Sequence, residues 1–492
     1  MAELDLPKLD MAELDMVVRN ATVVTASDTT QTEIGVKDGK IVLLGQSLPV
    51  GKVEIDAKGK YVLPGGIDSH VHIEQDSTET GAMSATDFRS ATVSAACGGT
   101  TTVIPFVRQV KGRPLRETVD EYRARPVGKA VIDYALHLII TDPSASALNQ
   151  EIPALVEAGY TSVKVYMTYR AMMLSDYQIL EVMAVARSNG AMVMIHAENA
   201  DCITWLTEKL LASGRTAPKF KAIAHQPAVE REATHRAITL GEISDVPILI
   251  VHVASGEAAE MIRWAQTRGL KVIGETCPQY LFLTEADLDK QGLEGAKSLC
   301  APPPGTSANR DALWDAMSND VFQVYSSDHA AFRYGDKDGK FVAGPNPSFD
   351  RITNGVPGVE TRMPLMFSEA LKGDRIDLNK FVAVSATNPA KIYGLYPKKG
   401  TIAIGSDADF VVWDPDKKVT ISIDKLHDGM DYTPYDGQEV QGWPEITVSR
   451  GDIIWRDGTF SGTPGRGQFL PCDRPVAPKA DDVLDAAGVP AA

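Results

Sequence analysis

The sequence predicts an α/β chain built on a (β/α)₈ TIM-like barrel, with a small β-sandwich formed by the N- and C-terminal segments. Three observations carry this expectation. Between Gly66 and Ala330, short apolar runs alternate eight times with amphipathic stretches. The polar oddities of the chain fall at the C-terminal ends of those runs, and both chain ends read as β-rich hairpins. Alternation of this kind indicates a parallel sheet, and eight units are the number that closes a barrel. An open doubly wound sheet is the competing arrangement.

In chain order, residues 1–15 read as a tail in which MAELD occurs twice, at 1–5 and 11–15, as an alternative start or a cloning remnant would leave. Residues 16–63 form the first part of the sandwich, with MVVRNATVVT, EIGVKDGKIVLLG and the start of KVEIDAKGKYVLPG punctuated by turn residues. Residues 64–396 are the barrel. Its runs are GIDSHVH (66–72), TTTVIPF (100–106), VIDYALHLII (131–140), TSVKVYM (161–167), AMVMIHA (191–197), VPILIVHV (246–253), KVIGETC (271–277) and VFQVYSSD (321–328). Between them, SDYQILEVMAVARSNG has Ser175 as N-cap, Gln178 in the capping-box position and Gly190 as the stop. SGEAAEMIRWAQTRG starts at Ser255 and ends at Gly269 with similar signals. Residues 397–462 supply the second part of the sandwich, where VSRGDIIWRDG looks like a variant of the earlier VKDGKIVLLG hairpin. Residues 463–492, rich in Pro, Ala, Gly and Asp, read as a tail or an arm that orders on a neighbouring subunit.

With 44% hydrophobic and 23% charged residues the chain is expected to be a well-packed globule, and no apolar run approaches the roughly 18 residues of a membrane helix. The net charge of −16, without any basic block, disfavours nucleic acid as a partner. The five cysteines are scattered and lack CxxC spacing, as reduced thiols in a cytoplasmic protein would be. The acidic start lacks the regions of a signal peptide.

His70 and His72 close the first run, Lys164 sits in the fourth, His196 ends the fifth, His252 the sixth and Asp328 the eighth. In a barrel that end carries the active site. Residues i and i+2 of a strand share a face, so His70 and His72 can grip one ion. A lone strand-end histidine is ordinarily a hydrogen-bonded core residue, and His137, His225, His235 and His427 are read that way, with His225 in a loop near the mouth. Four imidazoles and a carboxylate at the ends of four different strands invite metal ions. An ammonium at Lys164 would repel them, whereas carbamylation by carbon dioxide makes its head anionic, able to bridge two cations roughly 3.5–4 Å apart. Pairing of Lys164 with Glu198 or Glu275 is the alternative.

These residues, with GGIDSHVH, AACGGTTTVIPF, SVKVYMTY, IHAEN, PAVEREATHRAI, VHVASGEAAE, GETCPQYLFLT, SSDH and NGVPGVETR, resemble the dihydropyrimidinase and D-hydantoinase family, the cyclic-amidohydrolase branch of the amidohydrolase superfamily. The stretches keep their order across most of residues 16–465. The resemblance implies hydrolytic opening of a cyclic amide, a homotetramer or dimer, and two divalent ions, usually zinc. His70, His72 and Asp328 would bind one ion and His196 and His252 the other, with carboxylated Lys164 between them. It further implies that Asp328 moves the proton, that Tyr169 stabilises the carbonyl oxygen, and that backbone groups near Cys300, Ala301 and Asn354 hold the ring.

Several positions depart from that pattern. HAAF follows Asp328, and SLCAPPPGT replaces a serine followed by two prolines, leucine and arginine. The loops after His72 (IEQDSTETG) and Phe106 (VRQVKGR) are charged where relatives are more apolar, which argues against a bulky aromatic substituent unless they are solvated tips. Dihydroorotases typically carry an arginine where Glu74 stands. Allantoinase and cyclic-imide hydrolase share the same centre and stay open. The collapsin-response mediator proteins, non-catalytic relatives, have lost ligands that all six positions here retain.

Overall fold

The computed structural model describes residues 13–475. The expected N-terminal tail lies outside those residues except at its end, where a strand already opens at Leu14. All eight apolar runs between Gly66 and Ala330 contain parallel strands, from Gly66–His72 through Thr100–Arg108, His137–Ile139, Ser162–Tyr166, Met192–His196, Ile248–Ile250 and Val272–Thr276 to a divided eighth strand. Val324–Tyr325 pairs with the seventh strand, and His329–Ala330 pairs with the first. One short run thus touches both edges of the sheet and closes the barrel, which an open doubly wound sheet would not do. Asp328 lies in the gap between its halves.

The period of two along each strand sorts the side chains into two cores. Val163, Val165, Val193, Ile195, Ile248 and Ile250 face outward into a large cluster shared with the helices. Tyr166, Met192, Met194, Leu249 and Val324 fill the barrel interior. Lys164 has the parity of Tyr166, so its place among valines is explained: it points inward while they point out. In the first strand, Ile67 faces the interior and Val71 the outer core despite their even spacing. The register shifts between Asp68 and Val71, and a bulge of this kind re-aims the residues beyond it, here His70 and His72.

The helices follow their caps. Asp176–Asn189 starts at Ser175 with a complete capping box to Gln178 and stops at Gly190, φ 71°. Gly256–Thr267 starts at Ser255, whose hydroxyl accepts from Ala258 N, and Gly269 follows with φ 78°.

Among the described residues, strands from both sides of the barrel segment pair as one nine-stranded sheet, in which Phe410–Thr420 lies against Tyr61–Pro64. It encloses its own core, with Val18, Ile34 and Val36 from the first end and Phe410, Val412 and Val448 from the second. The two similar sequences are indeed hairpins with two-residue turns at Asp38–Gly39 and Arg450–Gly451, all four residues having positive φ, as the right-handed strand twist favours. The turns pack on each other, and a Cβ on Gly39 would lie 2.9 Å from the Arg450 carbonyl.

Residues 463–475 correct an expectation. They run along the barrel of their own chain: Leu470 N donates to Tyr134 O and Cys472 N to Gly159 O. Leu470 and Cys472 are buried in the interior cluster. Proline and glycine made this segment look unstructured, yet its few apolar residues cover the barrel floor. The remainder of the expected arm lies outside the described residues.

Lys399 joins the two parts of the molecule. Its buried ammonium lies 2.7 Å from Asp133 of the barrel, 2.6 Å from Asp409 and 3.0 Å from Asp407 of the terminal sheet, and Arg450 reaches Asp133 at 3.1 Å. Lys399→Met would leave buried carboxylates short of a counter-charge, so it is expected to cost about 3–5 kcal/mol, read as a lower urea midpoint. An unchanged midpoint would show that the cluster contributes nothing.

Candidate active site

Six side chains converge at the C-terminal rim of the barrel. Oδ1 of Asp328 lies 3.2 Å from Nε2 of His70 and 3.4 Å from Nε2 of His72. Ligand atoms of these three residues all lie within 4.8 Å of one another. Lys164 Nζ is 2.9 Å from His70 Nε2 and 4.2 Å from the centre of the Phe106 ring. The His252 ring is 4.3 Å from that of His196 and 5.4 Å from that of His70. His252, Asp328 and Tyr169 hold positive φ values of 38°, 47° and 64°. Non-glycine residues in that region cost on the order of 1–3 kcal/mol each and gather at functional sites.

A second layer, which the sequence did not reveal as such, fixes the imidazoles. His70 Nδ1 lies 2.6 Å from Glu275 Oε1, and His72 Nδ1 lies 2.7 Å from Gln75 Oε1, whose amide nitrogen is anchored on the Phe106 carbonyl. His196 Nε2 meets Glu198 Oε2 at 2.7 Å, and the other oxygen of Glu198 meets His225 Nδ1 at 2.6 Å. An N–H directed at an acceptor on one edge leaves a lone pair on the other, so Nε2 of His70 and His72 and Nδ1 of His196 are the free ligand atoms. Nδ1 of His252 is buried without a partner among the described residues. His225 therefore belongs to this layer rather than to the core. The signal available was the spacing of Glu198, two residues beyond His196.

The electrostatics suit ligation. Burial drives His70 and His252 far below the ordinary histidine range, so both are neutral. Burial also pushes Lys164 down to about 8 and Glu275 up to about 8. For Asp328 burial opposes ionisation, and only positive charge held among His70, His72 and His252, a proton or a bound cation, draws the carboxyl well below its usual range. Burial likewise opposes charge on Glu198, yet His225 and His196 keep it well below the usual carboxylate range. The alternative pairing of Lys164 is not found. Glu198 is engaged by two histidines, Glu275 by His70 and the His252 N–H, and Lys164 has no carboxylate within 4 Å among the described residues.

Tyr169, Cys300, Ala301 and Asn354 line the same cleft as Lys164 and Asp328. The Tyr169 ring is 5.1 Å from that of His196, and the Asn354 amide donates to Glu79 at 3.2 Å. Asp76, Glu79 and Arg108 line the cleft too, so these charges of the two loops are not merely solvated tips. His137 is held between Ser162 and the Ser69 carbonyl, His235 lies against Trp264 and His427 binds Glu360, all away from the cleft.

Comparison with known proteins decides the assignment. The profile of the amidohydrolase family matches residues 61–454. The chain belongs to the amidohydrolase family. This amidohydrolase is 43% identical over 459 residues to a D-hydantoinase of Ralstonia pickettii, covering 93% of this chain and 98% of that one. Its structure resembles a dihydropyrimidinase from Brevibacillus agri with a TM-score of 0.91 at 38% identity, covering 94% and 100% of the two chains. It also resembles an L-hydantoinase from Arthrobacter aurescens with a TM-score of 0.83 at 29% identity, covering 93% and 100%. The family is metal-dependent, and neutral imidazoles with oriented lone pairs beside a carboxylate fit divalent ions. Glu198→Ala is expected to lower affinity for zinc about 10–100-fold, read by competition with a chelator. Equal affinity in the variant would remove Glu198 from the support of the site.

Proposed function

We propose that this amidohydrolase opens the ring amide of a dihydropyrimidine or 5-substituted hydantoin, giving the N-carbamoyl amino acid. The observation that carries the reading is the convergence of His70, His72, His196, His252, Lys164 and Asp328 on one cleft, in a chain 43% identical to a D-hydantoinase over nearly its whole length. In this reading His70, His72 and Asp328 would hold one divalent ion and His196 and His252 a second, both zinc, and N6-carboxylated Lys164 would supply a further anionic ligand. Burial favours the free amine of Lys164. That nitrogen bonds to the carbon of carbon dioxide and releases a proton, which leaves a carbamate. Divalent ions at such a centre make water nucleophilic near neutral pH and polarise a carbonyl.

The chain's own residues do the rest. The Asp328 carboxylate takes up a proton from the attacking water and delivers it to the departing ring nitrogen. Burial raises the Tyr169 phenol well above its usual range, so it keeps its proton and donates to the carbonyl oxygen as charge grows there. Backbone groups at Cys300, Ala301 and Asn354 hold the ring. Arg108 sets the substituent: it is half-buried, and among the described residues its guanidinium makes one hydrogen bond, to the Asp76 carbonyl at 2.7 Å. A desolvated guanidinium with spare donors favours a substituent that accepts hydrogen bonds over a bulky aryl group.

The enzyme is read as cytoplasmic, from its scattered, unpaired thiols, and as a homotetramer or dimer, from the resemblance. Among the described residues no helix is long and apolar enough to cross a membrane.

A spectrophotometric screen over dihydrouracil, 5-substituted hydantoins, allantoin and succinimide-type imides tests the reaction. Turnover confined to allantoin or imides would overturn the substrate assignment. Among hydantoins, kcat/KM is expected to favour carboxyalkyl or carboxamidoalkyl over phenyl substituents, and the reverse order would sink the role given to Arg108. Lys164→Ala is expected to lose both bound zinc and turnover, with partial return on adding short carboxylic acids. Wild-type activity in that variant would disprove the bridge.

A further inference from the structure

Lys340 lies outside the centre described above, and no step of the mechanism uses it. Its side chain is completely buried. The ammonium donates to three backbone carbonyls, Gly355 at 2.7 Å, Thr353 at 3.1 Å and Leu299 at 3.2 Å. Among the described residues no carboxylate lies within 4 Å of it. Three acceptors match its three N–H donors, so its hydrogen bonding is saturated although its charge has no counter-ion. Burial pushes the ammonium down to about 7. A methionine would fill similar space without burying a charge. The ammonium must therefore supply what packing does not, which is simultaneous attachment to three carbonyls.

Those carbonyls come from two separate segments of the cleft wall. Leu299 immediately precedes Cys300 and Ala301, and Thr353 and Gly355 flank Asn354. Gly355 N also donates to Leu299 O at 3.1 Å, and Thr353 N donates to the Lys340 carbonyl at 3.0 Å. Gly355 has a φ of 129°, and a Cβ there would lie 2.6 Å from the Ala330 carbonyl, so this backbone is pressed against the end of the eighth strand.

We propose that Lys340 is a positioning residue that ties segment 299–301 to segment 353–355 and so sets the spacing of the backbone groups that hold the ring. The proposal rests on the reading that these two segments receive the cyclic ureide. Lys340 touches neither the ring nor the metal ligands. Its loss is therefore felt in ground-state binding of the ring, while the centre keeps its ions.

The test is steady-state kinetics of Lys340→Met on whichever dihydropyrimidine or hydantoin the parent enzyme opens, with zinc content and thermal midpoint measured on the same preparations. The expected result is a KM raised by about tenfold or more, the size of a lost hydrogen bond to a charged group. The fall in kcat is expected to be several times smaller, with zinc still close to two per chain. Lys340→Gln, which keeps two donors on a shorter arm, is expected to fall between parent and Met variant in KM, and it decides by the same criterion should the Met variant not fold. A lowered thermal midpoint with parental KM would overturn the proposal, since Lys340 would then serve stability alone. Loss of zinc together with kcat at unchanged KM would overturn it as well. Absence of turnover of any cyclic ureide by the parent enzyme would instead sink the assigned activity, and this cross-tie with it.

Discussion

Lys164 Nζ stands 2.9 Å from His70 Nε2, with both side chains buried at the foot of the cleft. Desolvation disfavours charge on both partners, and each protonated form would repel the other. The two nitrogens can share this space only as neutral donors and acceptors or as joint ligands of something positive. That constraint organises the rim: Asp328 is the nearby group that stays ionised, and the imidazoles crowd around it. A barrel whose inward-facing positions were uniformly apolar would have no reason to hold a lysine there.

Keeping such a cluster in one geometry demands more than the six residues themselves. Glu275 spans two strands by accepting from His70 and from the His252 N–H, so the first and sixth strands are set relative to each other through one carboxylate. Glu198 links His196 to His225 on the following connection. The left-handed backbone at His252 and Asp328 turns both side chains away from the direction a regular strand would give them. The rim is strained and over-determined together, as a preorganised site has to be.

Much of this was legible in the residues. Alternation of apolar runs located the strands, capping residues fixed the helix ends at Ser175, Gly190 and Ser255, and the turn dipeptides Asp38–Gly39 and Arg450–Gly451 announced hairpins. Five of the six rim residues stand out as polar groups at the ends of apolar runs, and Lys164 as a charge in the middle of one. Gln75 and Lys340 do not stand out, and Glu275 does so only as a possible partner of Lys164, because support from a distant segment leaves no local pattern. His225 looked like an ordinary core histidine for the same reason. Residues 463–475 escape a reading by composition, because Phe469, Leu470 and Cys472 place their side chains by spacing.

The union of the two chain ends in one sheet has a bearing on how the protein is made. The strand Tyr61–Pro64 needs Phe410–Trp413 beside it, and the barrel floor needs Leu470. More than three hundred residues separate the first pair. A nascent chain must carry the strand Tyr61–Pro64 with an unsatisfied edge until Phe410–Trp413 has been made. A segment translated more than three hundred residues later seals what the earlier strand began, so this sheet cannot mature in stages along the chain.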